Sequence, residues 1–381
     1  MITGAHHFPS MDEVVYGRSA ADAVAELADA FGARRLFVVT TRSLDHAQGA
    51  VSGLRQALGA RCVGLFSAVR AHSPREDVIA CAAAARTADA DLLVALGGGS
   101  VIDAVKVVQL CLWGDVRSTE QVGELVGRGG RNLAPGVRMI ALPTTLSAAE
   151  FTPFAGVTDT ARHAKEGYGH PKLAPRAVVL DPRLTLETPE TLWFSTGLKA
   201  VDHAVEQLCN PERAPYADAL AEAWLAHLTK GLAAVKARPD DLDARLECQF
   251  GMWLAISGAS AGRGLGASHA IGHTLGGGYG VPHGITSCVM LPAVLAWNAS
   301  VNGERQAHVA ALMGRPGASA AEAVGDLARG LGLPTRLSEV GIQPEQFQAI
   351  GEATMHDRGV RSNPRPISGA ADIVQILELA A

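Results

Sequence analysis

The segment Asp91–Val108, DLLVALGGGSVIDAVKVV, constrains this chain more than any other. An apolar run that reads as a buried strand meets Gly97, Gly98 and Gly99, then Ser100, then a stretch with helical spacing. Glycine lets backbone N–H groups come close to a phosphate, and a helix N-terminus adds partial positive charge. Ser100 can cap that helix or donate to the same phosphate. The spacing is not the G-x-G-x-x-G of a first Rossmann strand, because Ile102 stands where the third glycine would be. Two readings stay open: a phosphate cradle, or a tight strand-to-helix turn with no ligand. Asp103 and Lys106 follow three apart on one side of the helix, the spacing of a simple ion pair.

The same alternation runs through the first half of the chain. Ser19–Phe31, Asp45–Leu58 and Arg75–Thr87 have helical apolar spacing. Leu36–Thr40, Cys62–Phe66, Met139–Leu142 and Ala177–Leu180 read as short strands. Strands alternating with helices predict a parallel sheet covered on both faces. After Asp181-Pro182 strand signals nearly vanish. Thr196–Cys209, Pro215–Val235, Asp241–Ser260, Ile285–Asn298, Ala320–Leu331 and Ala370–Leu379 are predicted helices. A chain of 381 residues exceeds the size at which one core keeps growing. The expected organisation is an α/β domain over 1–185 and a helical domain over 186–381.

Composition narrows the function classes. A net charge of -5 argues against a general binder of nucleic acid or anionic membrane. No run of about 18 apolar residues offers a membrane span. The N-terminal MITGAHHFPSMDEVVYG lacks the basic flank and apolar core of a secretion signal. The six cysteines form no C-x-x-C pair, so reduced, buried thiols in a cytoplasmic protein are expected. Of 33 basic residues only Lys106, Lys165, Lys172, Lys199, Lys230 and Lys236 are lysines, which makes each of them stand out.

Two further patterns carry chemistry. Pro143-Thr144-Thr145 follows the strand MIAL. Its hydroxyls can bond a cofactor amide or ribose, although Thr and Pro are also ordinary turn residues. In SHAIGHTLGGGYGVPHG, His269 and His273 share a helix face at i,i+4 and His283 follows a glycine-rich turn. His203 lies on an earlier helix, in GLKAVDHAVE. Imidazoles converging from separate helices suit a metal or proton-transfer site, and such metal sites often add a carboxylate. Lys199 occupies the i−4 position of the His203 face, with Asp202 adjacent and Glu206 three residues on.

The ordered set GGGSVIDAVK, PTT…E, GLKAVDHAVE and HAIGHTLGGGYGVPHG resembles the iron-containing (group III) alcohol dehydrogenases, distant relatives of dehydroquinate synthase and glycerol dehydrogenase. The resemblance runs from about Val14 onward. It implies an N-terminal dinucleotide-binding α/β domain, an all-α C-terminal domain and an active site in the cleft between them. It implies that Gly97, Gly98, Gly99 and Ser100 hold the pyrophosphate, with Thr144 and Thr145 beside the nicotinamide and its ribose. Asp103 and Lys165 are further candidate cofactor contacts. A homodimer or larger homo-oligomer acting on a small molecule is implied too.

Metal-dependent members take an Asp four residues before a His, then two more His, as Fe or Zn ligands. His203, His269 and His283 match the three imidazoles, and His273 matches a non-ligand His lining the site. Lys199 stands at the Asp position. An ammonium has no lone pair to coordinate with, and its charge repels a divalent ion. Asp202 is a candidate substitute carboxylate, turned about 60° around the helix. The segment PTTLSAAE is one residue shorter than the usual alcohol-dehydrogenase motif and resembles the maleylacetate reductase branch. That branch replaces the Asp ligand, usually with Asn, and is thought to work without metal.

The implied reaction is hydride transfer between NAD(H) or NADP(H) and a small carbonyl or alcohol, with a maleylacetate-like oxo-acid as one candidate. Thr41-Arg42 stands where NAD-preferring relatives carry an acid, so a 2′-phosphate is permitted. Lys199 would stabilise the alkoxide or grip a substrate carboxylate, and His273 or His203 would relay the proton. A metal-dependent alcohol dehydrogenase and a dehydroquinate synthase-like lyase are the alternatives.

Overall fold

The computed structural model describes residues 6–127, 129–256 and 264–381. The chain divides into two units, Phe8–Thr188 and Pro189–Ala381, with His6 and His7 belonging to the second.

The first unit is a parallel sheet with crossover helices. In chain order its elements are β1 (Glu13–Tyr16), α1 (Ala20–Phe31), β2 (Leu36–Val39), α2 (Ala50–Leu58), β3 (Cys62–Phe66), α3 (Arg75–Thr87) and β4 (Leu92–Gly97). Then come α4 (Gly99–Trp113), α5 (Thr119–Glu124), β5 (Arg138–Pro143), β6 (Phe154–Asp159), β7 (Ala164–Gly169) and β8 (Ala177–Leu180). Six strands pair in the order β1-β8-β5-β4-β2-β3, all parallel. Strands β2, β4 and β8 are buried at every position, as expected of strands covered on both faces.

The strand order positions the site. From β2 the chain steps outward to β3, then returns to place β4 on the other side of β2. That reversal opens a crevice beyond the C-terminal ends of β2 and β4, where open α/β sheets take their ligands. Thr40 Oγ1 donates to Leu96 O at 2.8 Å and ties the two strand ends together. Thr41 and the Gly97–Ser100 turn therefore lie at the same end of adjacent strands.

The antiparallel β6–β7 hairpin was not expected, because FAGVTD and AKEGYG carry glycines and charges instead of an apolar run. Buried polar groups hold it. The Arg75 guanidinium, on α3, pairs with Asp159 at 3.1 Å and with Glu166. The ion pair that the spacing of Asp103 and Lys106 would allow is replaced by other partners for each. Lys106, fully buried, donates to the carbonyls of Ala149, Thr152 and Phe154. Asp103 accepts from Gly156 N of the hairpin at 3.1 Å.

The second unit is helical throughout its described residues: α6 (Glu190–Cys209), α7 (Pro215–Ala237), α8 (Leu242–Ala255), α9 (Ala267–Tyr279), α10 (His283–Leu312), α11 (Ala320–Gly330), α12 (Phe347–Thr354) and α13 (Ala370–Leu379). Helix α6 starts before Thr196, and α10 runs past Asn298 through a non-helical Asn302. The end of the helix predicted over Asp241–Ser260 lies outside the described residues. By length and composition α10 could cross a membrane, but 67% of its apolar window is buried, which makes it a core helix.

Candidate active site

At the β4–α4 turn the glycines let two strand ends close on each other. A Cβ on Gly98 would sit 2.9 Å from Thr145 Cγ2, so only glycine allows the Pro143–Thr145 turn to lie this near. The Thr144 N–H donates to Gly97 O at 3.1 Å. Thr144 and Thr145 are both buried. Two buried hydroxyls here, Thr145 Oγ1 and Ser147 Oγ, have no partner. Buried hydroxyls normally find one, so these fit a polar ligand. The α4 N-terminus begins at Gly98 with no side-chain cap. Ser100 Oγ is already used, accepting from His72 N at 3.0 Å. Backbone groups, uncapped helix end and unpartnered hydroxyls together fit a dinucleotide.

Thr41 Oγ1 pairs with Ser43 Oγ at 2.8 Å within the turn after β2. Lys165 sits on β7, exposed, with its stem lying across Gly156 of the partner strand. Asp103, on α4 one turn beyond Gly99, and Lys165, on β7, thus both lie against Gly156 of the hairpin.

In the second unit four imidazoles come together from three helices. The His203 ring, from α6, stacks on His269 of α9 at 4.9 Å between centroids and 20°. His273 stacks on His283 of α10 at 5.3 Å and 15°. His269 stands edge-on to His283 at 6.0 Å and to His273 at 6.4 Å. Helix α10 can start this close to α6 because residue 284 is glycine: a Cβ there would lie 2.8 Å from the Ser195 carbonyl carbon.

Two carboxylates of α6 hold α9. Glu206, half-buried, accepts from Gly266 N at 2.8 Å and Ser268 N at 2.9 Å, capping the α9 N-terminus across space. It also meets His269 Nδ1 at 2.8 Å. Asp202, fully buried, accepts from Ser268 Oγ at 2.8 Å and lies 3.5 Å from His269 Nδ1. Glu206 thus occupies His269 Nδ1, and the other ring nitrogen, Nε2, is buried without a partner. His203 Nδ1 is likewise buried and unpartnered.

Burial sets the charges. It lowers His269 to about 4, the Asp202 carboxylate opposing and the Lys199 ammonium and His273 assisting. His203 is held well below the ordinary imidazole value by burial, then by His269 and Lys199. Burial raises both Asp202 and Glu206 to about 7. At neutral pH both inner imidazoles are therefore neutral, and Lys199 is a cation within electrostatic reach of both.

The donor set here departs from that of a metal-dependent member at one position. The position expected to supply an anionic ligand carries the Lys199 charge instead. Among the described residues, the group that brings three ligand atoms within 4.8 Å of one another is Asp202, Glu206 and His269, not the three expected imidazoles. Its hydrogen bonds show that it caps and orients α9. Asp202, the candidate substitute carboxylate, faces α9, where Ser268 and His269 meet it. Sequence reasoning named Glu206 without giving it a role, although its i+4 spacing from Asp202 was a signal. It missed Asp357, which meets His273 Nδ1 at 2.8 Å from a loop 84 positions away.

Comparison with known proteins follows the same two-part division. Residues 11–182 match the model "Iron-containing alcohol dehydrogenase", and residues 193–381 match "Fe-containing alcohol dehydrogenase family, C-terminal". The chain is 34% identical over 373 residues to dehydrogenase ALT3 of Alternaria alternata, covering 88% of this chain and 96% of that protein. It is 31% identical over 366 residues to a maleylacetate reductase of Burkholderia cepacia, covering 96% and 94%. The crystal structure of maleylacetate reductase from Agrobacterium tumefaciens superposes with a TM-score of 0.84 at 28% identity, covering 100% of this chain and 98% of the other. With both units matched and relatives aligned over most of its length, the chain belongs to the iron-containing alcohol dehydrogenase family and is an oxidoreductase.

Proposed function

We propose that this chain is an NAD(P)H-dependent reductase of a small oxo-acid of the maleylacetate type, working without a bound metal. The observation that carries the reading is the Lys199 ammonium acting on two buried neutral imidazoles, His203 and His269. A bound nicotinamide supplies the hydride. In the reducing direction the carbonyl carbon gains that hydride and the oxygen becomes an alkoxide. Lys199, whose charge acts on both rings, would stabilise the developing charge. His273, the exposed member of the cluster, hands the alkoxide its proton and is recharged from solvent. His203, His269 and His283 wall the site and fix the other rings.

In the first unit, Gly97, Gly98, Gly99 and Ser100 cradle the pyrophosphate, with Thr144 and Thr145 toward the nicotinamide and Thr41 toward the ribose. Asp103 and Lys165 serve the hairpin. Thr41-Arg42 in place of an acid admits either cofactor. We place the protein in the cytoplasm, consistent with its free cysteines, and expect a homodimer or larger assembly.

Metal analysis of purified protein, paired with oxidation of NADH and NADPH across oxo-acids and aldehydes, tests the reading. Activity should survive a chelator, with far less than one metal per chain. Stoichiometric metal required for turnover would instead establish the metal-dependent alcohol dehydrogenase, a reading favoured by the unpartnered nitrogens of His203 and His269. The cofactor cradle has its own test. Gly98→Ala is expected to weaken NAD(P)H binding roughly tenfold, about 1.4 kcal/mol, in a fluorescence titration. Unchanged affinity would place the phosphate elsewhere.

A further inference from the structure

Asp357 lies in the loop after α12, and nothing in its sequence surroundings marks it. Its two oxygens have different partners. Oδ2 meets His273 Nδ1 at 2.8 Å, and Oδ1 accepts from Gly359 N at 2.7 Å. The second bond is an Asx-type turn, in which a carboxylate closes on its own backbone two residues on. The loop is anchored at both ends. Asp357 N donates to Thr354 O at 2.9 Å. The Thr354 hydroxyl bonds Thr274, the residue after His273, at 2.9 Å. At the far end Ser362 Oγ donates to Leu265 O at 2.7 Å, just before α9. The carboxylate is therefore fixed relative to the helix that carries His273, and one of its oxygens is reserved for that ring.

We infer that Asp357 is the positioning residue of His273: it holds the ring as the Nδ1–H tautomer, stacked on His283, with Nε2 as the atom that exchanges a proton with the substrate oxygen. The inference rests on the proposed reductase chemistry and extends it. In reduction, the Nε2–H bond of the charged ring breaks and the O–H bond of the product alcohol forms. The electron pair of N–H stays on Nε2, and the nicotinamide has supplied the hydride to carbon. Asp357 keeps its negative charge throughout and faces the charge on the ring, as an orienting carboxylate does in other His-based sites. The same device recurs one turn earlier on α9, where Glu206 holds His269 at Nδ1. That pair is buried and its ring points inward, whereas His273 is exposed and can exchange its proton with water.

Two variants separate this role from upkeep of the loop. Asp357→Ser keeps a short acceptor for Gly359 N but cannot reach His273. Asp357→Asn keeps the acceptor and lets an amide N–H face the ring. Nitrogen-15 NMR of labelled protein reads the tautomer directly. Wild type should show Nδ1 protonated and Nε2 bare, and both variants should lose that preference. In steady-state kinetics kcat should fall on the order of 10–100-fold, with KM and NAD(P)H affinity within a factor of about two. A wild-type ring protonated at Nε2, or an unaltered kcat in both variants, overturns the inference. If wild type reduces none of the oxo-acids or aldehydes, the proposed reaction fails on its own. The NMR result then still decides whether Asp357 sets the tautomer.

Discussion

Lys199→Ala should lower kcat by roughly 10²–10³-fold while KM shifts only a few-fold. The argument is one of charge. The alkoxide formed by hydride addition needs a positive or donating group beside it. His203 and His269 are held neutral by burial, so neither offers a charge at neutral pH. Lys199 is the cation acting on both rings. An interaction made mainly in the transition state is lost from kcat, whereas a grip on a substrate carboxylate would be lost from KM. Steady-state kinetics with an oxo-acid therefore distinguish the two roles proposed for this ammonium. A large rise in KM with kcat intact would move Lys199 from the reacting oxygen to the carboxylate. A full-rate variant would remove it from the chemistry.

The second large effect is on stability. Glu206→Ala should destabilise the fold by on the order of 3–5 kcal/mol. Three donors, Gly266 N, Ser268 N and His269 Nδ1, lose a buried acceptor at once. Denaturant unfolding with an unchanged m-value would measure it, and a loss under about 1 kcal/mol would show that water replaces the cap.

Glu206→Gln probes the linked protonation. The folded Glu206 value, about 7, lies above its ordinary one, so the native state holds a proton there that the unfolded chain has released. On its own this lowers stability as pH rises toward 7. The folded His269 value, about 4, lies below the ordinary imidazole, so the native state lacks a proton that the unfolded chain binds. On its own this raises stability as pH rises from 4 to the imidazole range. In wild type the two slopes oppose each other, and Asp202 and His203 oppose in the same way. Removing the Glu206 titration should leave a net rise in stability with pH across that window, near 1.4 kcal/mol per pH unit.

What could be read in the sequence was whatever is local. The strand entering Gly97 announced itself because every residue of β4 is buried, and α3 ended where its apolar spacing ended. The short, partly exposed β1 and the β6–β7 hairpin did not, because their stability comes from the neighbouring strand and from Arg75 and Lys106. Helix α6 began earlier than expected since Trp193 and Phe194 are buried on successive faces and show no amphipathic period. The four histidines were visible as a cluster. Their orienting carboxylates were not: Asp357 is 84 positions from its ring, and Glu206 looked like one more acid on a helix.

Helix α6 divides its labour by position. Asp202 and Glu206 point at α9 and keep it in place, while Lys199, one turn earlier, is the position to which the proposed reaction assigns the charge. Residue 199 is not among the α6 groups whose hydrogen bonds cap α9. An acid, an amide or an ammonium at this one position would give three different electrophilic strategies on an unchanged frame. On the proposed reading, the chemistry of the cluster is set at position 199 and the packing of α9 at positions 202 and 206.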